Sequence, residues 1–178
     1  MPPHFWNDPN WEKYKGAYFE YYPNIWRHGD YVVFHSDTKG ITFYGRSDAV
    51  LKPSGVRIGT AEIYNVVERI EGIADSLAIG QNWEGEQRII LFVKLAPGAS
   101  LTEDLKNMVK KTLREKASPR HVPSIIMEMP DAPYTMNMKK VESAVTNIIH
   151  GRPVLNRDAL SNPQVLDYFE KIVPELQK

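Results

Sequence analysis

The chain has 178 residues, 22 basic and 22 acidic side chains that cancel to zero formal charge, and no cysteine. Electroneutrality argues against a protein whose main work is neutralising phosphate backbones. The absence of thiols excludes disulfides, thiolate nucleophiles and Cys-ligated zinc. The length suits one domain or one and a half, and 42% hydrophobic with 25% charged residues is ordinary globular composition. His4, His28, His35, His121 and His150 show no close pairing and no HExxH spacing, so no metal site is expected. No run approaches the about 18 apolar residues of a membrane span. MPPHFWNDPN lacks the apolar core of a signal peptide. A reducing, cytosolic setting is the expectation, with no nucleic-acid or membrane partner.

Residues 1–28 are dense in aromatics, among them Phe5, Trp6, Trp11, Tyr14, Tyr18 and Trp26, without clean periodicity. A free N-terminal segment so rich in rings is expected to pack on something. YVVFH (31–35) and ITFYG (41–45) flank a turn-rich SDTKG and predict a hairpin. AVLK, the turn Pro53-Ser54-Gly55 and VRIG predict a second, shorter pair. Ile63, Val66, Val67 and Ile70 then fall at helical spacing, with Thr60 as the expected N-cap, Glu62 in the first turn and Gly72 at the end.

SLAIGQN and QRIILFVKL predict two strands joined by the turn WEGE. Thr102 opens a helix expected to face Leu105, Met108, Val109 and Leu113 inward, ending before Ser118-Pro119. Ser124 to Met129 predicts a strand, and Val141, Ala144, Val145 and Ile148 a helix closing at Gly151. Asn162-Pro163 starts a last helix with Val165, Leu166, Phe169 and Ile172 on one face. The sum is a small α+β domain whose short β-sheet is covered by helices.

Three stretches stand together in order and spacing: WRHGD (26–30), GRSDAVLKPSGVRIGTAEI (45–63) and PYTMNMKK (133–140). They resemble the last motifs of the adenylate-forming acyl-CoA synthetase superfamily. The flanks FWNDP, GVRIGTAEIYNVVE and the long tail look most like its acetoacetyl-CoA synthetases. Taken singly, Gly29-Asp30 reads equally as a turn before a strand, and Gly55 as a plain hairpin turn. The middle block is the specific one.

The resemblance implies roles for matched positions. Asp30 would accept hydrogen bonds from the ribose hydroxyls of ATP, which suits an ionised acceptor. Arg46 and Arg57 would lie near the nucleotide and its phosphate. Asp48, between the two predicted hairpins, would be the hinge about which a C-terminal domain turns. Gly55 would let the pantetheine of CoA pass close to the backbone. Lys139 would be the catalytic lysine, a cation that offsets charge developing at the substrate carboxylate and α-phosphate. Lys140, one residue out of register, is expected to be solvated. The basic residues Lys106, Lys110, Lys111, Arg114 and Lys116 are read as a solvated face.

Met138 departs from the resemblance, because the family has glycine there. If that backbone needs φ > 0, methionine costs about 1 kcal/mol or more and mis-aims the lysine. The family's phosphate loop and acyl pocket are also missing. Residues 1–47 are therefore expected to be the end of an incomplete N-terminal, AMP-binding domain, and residues 48–178 the C-terminal domain with an extended tail. The implied activity is an ATP-dependent acid–thiol ligation of acetoacetate, with Mg-ATP held mostly by the missing domain and CoA as co-substrate. The isolated chain is expected to be inactive. Alternatives are an acetyl- or propionyl-CoA synthetase fragment, or a stand-alone, non-catalytic CoA-binding or regulatory module.

Overall fold

The run Ile89–Val93 has no polar residue, and such continuity suits a strand covered on both faces. In the computed structural model, which describes residues 2–154 and 157–177, this run is the heart of β4 (Glu86–Leu95). It is the middle strand of a three-stranded sheet, flanked by β3 (Ile73–Trp83) and β5 (Ile125–Glu128). Each residue of the run is at most 2% exposed. β3 and β4 are antiparallel. They join through Glu84 and Gly85, both with positive φ (50° and 84°), as a two-residue turn matched to strand twist requires. β5 is parallel to β4 and so needs a crossover. That crossover is α3 (Glu103–Lys116), capped by Thr102 Oγ1, which accepts from the Leu105 N–H. Val109 and Leu113 are buried as predicted, but Met108 is 52% exposed and not inward.

Helices cover both faces. α2 (Thr60–Val67) and α3 pack with Leu51 and Ile58 on Ala78, Ile89, Leu91 and Val93. α4 (Glu142–Ile149) and α5 (Leu166–Ile172) pack on Leu77, Ile79, Ile90 and Phe92. Ile73 breaks the alternation, joining Ala78 rather than Leu77. A bulge between Ile73 and Asp75 accounts for its change of face.

The sequence places Thr60 at the cap of α2; the cap is Gly59, and Thr60 is the first helical residue. Gly59 donates its N–H to Glu62 Oε1 (2.8 Å) and its carbonyl accepts from the Glu62 N–H. No other residue fits: a Cβ on Gly59 would lie 2.1 Å from the Tyr44 carbonyl oxygen. α2 also ends at Val67, one turn before Gly72. The first predicted hairpin exists as β1 (Asp30–Phe34) and β2 (Ile41–Arg46). The second contracts to one bridge, Leu51 to Ile58, around a 3-10 turn at Pro53–Gly55. The final helix is two pieces, a 3-10 turn at Pro163–Val165 and then α5. All four of its predicted inward residues are buried, and the Phe169 ring meets Phe92 edge-on at 5.1 Å.

The chain forms two contact units, residues 1–30 and 31–178. The first holds a helix that the sequence reading did not include, α1 (Glu12–Tyr18). The Asp8 carboxylate accepts the N–H groups of Lys13 and Tyr14 at its start. The rings of Phe5, Trp11, Tyr14 and Tyr18 pack edge-on against one another. No apolar side chain of residues 2–30 is buried, and Trp6 is 95% exposed.

Candidate functional site

The segment Pro133–Lys140 is a tight hairpin. Tyr134 and Lys140 form its antiparallel bridge. The Met138 N–H donates to the Thr135 carbonyl (2.9 Å), and the Thr135 N–H donates to the Lys139 carbonyl (2.9 Å). The Thr135 hydroxyl accepts the Lys139 N–H. A three-residue loop of this kind ends in a left-handed residue, where glycine is favoured. That residue is Met138, at φ 57°. The departure from the motif therefore sits on the one backbone position where it is strained.

Beyond the loop, neighbouring side chains alternate between faces. Lys139 is exposed and enters no ion pair among the described residues. Lys140 is not solvated, contrary to the sequence reading. Its side chain is 17% exposed, and its Nζ lies 2.5 Å from Glu68 Oε1 and 2.6 Å from Asp75 Oδ1. It also sits 4.2 Å over the Tyr64 ring.

Asp75 uses its second oxygen as well: the Tyr134 hydroxyl donates to Oδ2 at 2.5 Å. Burial works to raise the Asp75 carboxyl, but hydrogen bonds from Lys140, Tyr134 and the Ser76 N–H outweigh it and hold the group below its ordinary value. The Tyr134 hydroxyl is pushed up by burial and by the Asp75 charge. Deeper in, burial and the Glu142 charge push the Tyr64 hydroxyl up. Tyr64 donates to Glu142 Oε1 (2.9 Å) and accepts the Ala78 N–H, and the Thr60 hydroxyl donates to the same Glu142 oxygen. The tail grips the other flank. Asn162 Oδ1 accepts the Tyr134 N–H (3.0 Å), its Nδ2 donates to the Ala132 carbonyl, and Leu160 bridges Thr135.

The Gly55 loop is a separate feature. Gly55 is exposed at φ 78°, and a Cβ there would meet nothing within 4 Å. The loop is tied to the sheet by the Lys52 N–H, which donates to Gln87 Oε1 at 2.5 Å. Gln87 lies over Gly80, where a Cβ would come within 2.3 Å of its carboxamide. Gly55, Trp83 and Gln87 line an open cleft of ≈ 680 Å³.

The remaining predicted residues fall in different places. Arg46 and Asp48 face each other at the end of β2, with Nε to Oδ1 at 3.2 Å and Nη2 to Oδ2 at 3.4 Å. Arg57 is exposed beside the buried Ile58. Asp30 Oδ2 lies 2.6 Å from His28 Nδ1. Asp30 belongs to the first unit, the other candidates to the second. Within the second unit, Gly45 approaches Thr60, which bonds Glu142, so the hinge segment and the starts of α2 and α4 meet. Sequence reasoning missed Asp75, Gln87 and Asn162, whose partners are distant in the chain. Tyr134, inside the motif, was the only available signal. Among the described residues no three His, Asp or Glu side chains could hold a metal ion, and no helix is long and apolar enough to cross a membrane.

No family model matches the chain. It is 52% identical over 169 residues to the acetoacetyl-coenzyme A synthetase of Rhizobium meliloti (strain 1021), covering 95% of this chain and 26% of the relative. It is 50% identical over 178 residues to the acetoacetyl-CoA synthetase of Gallus gallus, covering 99% and 26%. The solved acetoacetyl-CoA synthetase from Streptomyces lividans overlays 98% of this chain at TM-score 0.89 and 39% identity, again with 26% of its own length. The chain matches the C-terminal region of the acetoacetyl-CoA synthetases. It spans about a quarter of the length of those relatives.

Proposed function

We propose that this chain works as the C-terminal part of an ATP-dependent acid–thiol ligase. The ligase would convert acetoacetate, or a similar short acid, to its CoA thioester through an acyl-adenylate. The observation that carries the reading is the pairing of 52% identity to a synthetase with an exposed Lys139 on a hairpin whose two flanks are braced.

In this reading Lys139 brings a positive charge to the carboxylate and α-phosphate during adenylation, where a fixed charge favours the transition state. Asp30 accepts the ribose hydroxyls, exchanging its His28 contact for them. Arg46 and Arg57 serve the nucleotide. Residues 1–47 and 48–178 are the moving parts, with Asp48 as the pivot. Packing groups 31–47 with the sheet, so turning about Asp48 would separate the Tyr44 backbone from Gly59. Gly55, left-handed and open on its Cβ side, admits pantetheine in the second step. ATP and its Mg are held mainly by protein outside this chain, which is also its partner; the described residues offer no ligand set for the metal, and no step is assigned to it. The setting is cytosolic.

The test is product analysis with the full-length protein carrying this chain, given ATP, CoA and acetoacetate. Acetoacetyl-CoA with AMP and pyrophosphate is the expected outcome. Thioester with ADP and phosphate would overturn the adenylate route. Acetate or propionate turned over faster than acetoacetate would reassign the acyl group.

A further inference from the structure

We propose that Asp75 is a positioning residue for Lys139, acting through Lys140 and Tyr134. The proposal rests on the reading of Lys139 given above.

The hairpin closes on one bridged pair of its own, Tyr134 and Lys140, and the tail also reaches it through the Thr135–Leu160 bridge and the Ser161 N–H on the Tyr134 carbonyl. A single carboxylate holds both members: Asp75 Oδ1 takes Lys140 Nζ at 2.6 Å, and Oδ2 takes the Tyr134 hydroxyl at 2.5 Å. Its side chain is only 14% exposed, so water competes little for either contact. Asp75 stands on β3, directly after the bulge that moves Ile73 to the opposite face. A bulge at a strand end re-aims a side chain, and here the carboxylate reaches the stem of the hairpin.

Glu68 also holds Lys140, and Asn162 also holds Tyr134. Each of these touches one stem only; Asp75 is the residue shared by both. Lys139 has no side-chain partner of its own among the described residues. The aim of its flexible four-carbon side chain is therefore set by the backbone between the two stems. A catalytic group displaced by about 1 Å can lose on the order of a hundredfold in rate.

The test measures the two half-reactions of the full-length protein separately: acyl-adenylate from acid and ATP, and thioester from preformed acyl-adenylate and CoA. Asp75→Asn is expected to slow the first by about tenfold to a hundredfold and to leave the second within about twofold. Adding Asp75→Asn to Lys139→Ala should slow the first step no further, because the lysine it aims is gone. Tyr134→Phe removes one hydroxyl and keeps the packing. It should slow the first half-reaction alone and carries the test if Asp75→Asn fails to fold. Lys140→Arg should retain adenylation that Lys140→Ala loses. Asp75→Asn or Tyr134→Phe slowing both half-reactions equally would mean a merely structural role and overturn the proposal. So would a first half-reaction unchanged in both. A Lys139→Ala protein with normal adenylation would overturn the Lys139 reading itself, and a different variant reports that failure.

Discussion

Replacing Met138 with glycine should stabilise the chain. A left-handed backbone costs a residue with a Cβ about 1–2 kcal/mol, and Met138 holds φ 57°. Its side chain is 70% exposed, so truncation forfeits almost no buried surface. Against the relief, glycine frees the unfolded chain by about 0.4–1 kcal/mol. The difference is a gain of about 0.8 kcal/mol. In chains of this length each kcal/mol moves the melting temperature by about 2–4 °C, so the rise should be about 2–3 °C. Thermal melting followed by circular dichroism reads it. Met138→Ala is the control, because it keeps the strain and loses the same exposed atoms, and it should melt near the parent. Met138→Val, β-branched at the same φ, should melt lower. Equal melting of the glycine and alanine variants would refute the argument that this backbone position is strained. In the full-length protein the glycine variant should also form acyl-adenylate faster; a rate at or below the parent's would show that methionine is tolerated there.

Other consequences are equally open to measurement. The folded Asp75 carboxyl lies below its ordinary value, so its stabilisation is complete above the unfolded carboxylate pKa, about 4, and is lost as pH falls through the folded one. Urea midpoints taken downward from about pH 6 should fall more steeply for the parent than for Asp75→Asn; parallel curves would remove Asp75 from the account. Gly59→Ala would force a Cβ onto the Tyr44 carbonyl and should cost about 1–3 kcal/mol; melting unchanged from the parent would contradict the close approach of β2 to α2. Phe169→Ala empties a fully buried position against Phe92 and should cost about 3–5 kcal/mol, whereas a loss below about 1 kcal/mol would mean the tail is not part of the core.

The order of elements was legible because burial imposes period. Val109 and Leu113 repeat at helical spacing, and Ile89–Val93 form an unbroken apolar run with a helix layer on either side. What failed was decided by contacts between distant residues. Thr60 is a good cap by type, yet Gly59 takes the place because Tyr44 leaves no room for a Cβ. Met108 fits the inward spacing of α3 but falls outside the covered stripe. Lys140 looked solvated because its partners, Glu68 and Asp75, are 72 and 65 positions away. α1 went unseen although Trp11, Tyr14 and Tyr18 stand at i, i+3 and i+7, because the other rings of residues 1–28 blur that period and these rings cover one another rather than a core. Lys139 is proposed from its motif alone, and the loop geometry explains why that motif favours glycine just before it.

The most direct measurement is ATP–pyrophosphate exchange by the full-length protein, driven by acetoacetate, in the parent and in Lys139→Ala. The account predicts exchange in the parent and a fall of at least about a hundredfold in the variant, the scale of removing one transition-state charge contact. Exchange that is absent from the parent, or undiminished in Lys139→Ala, would contradict it.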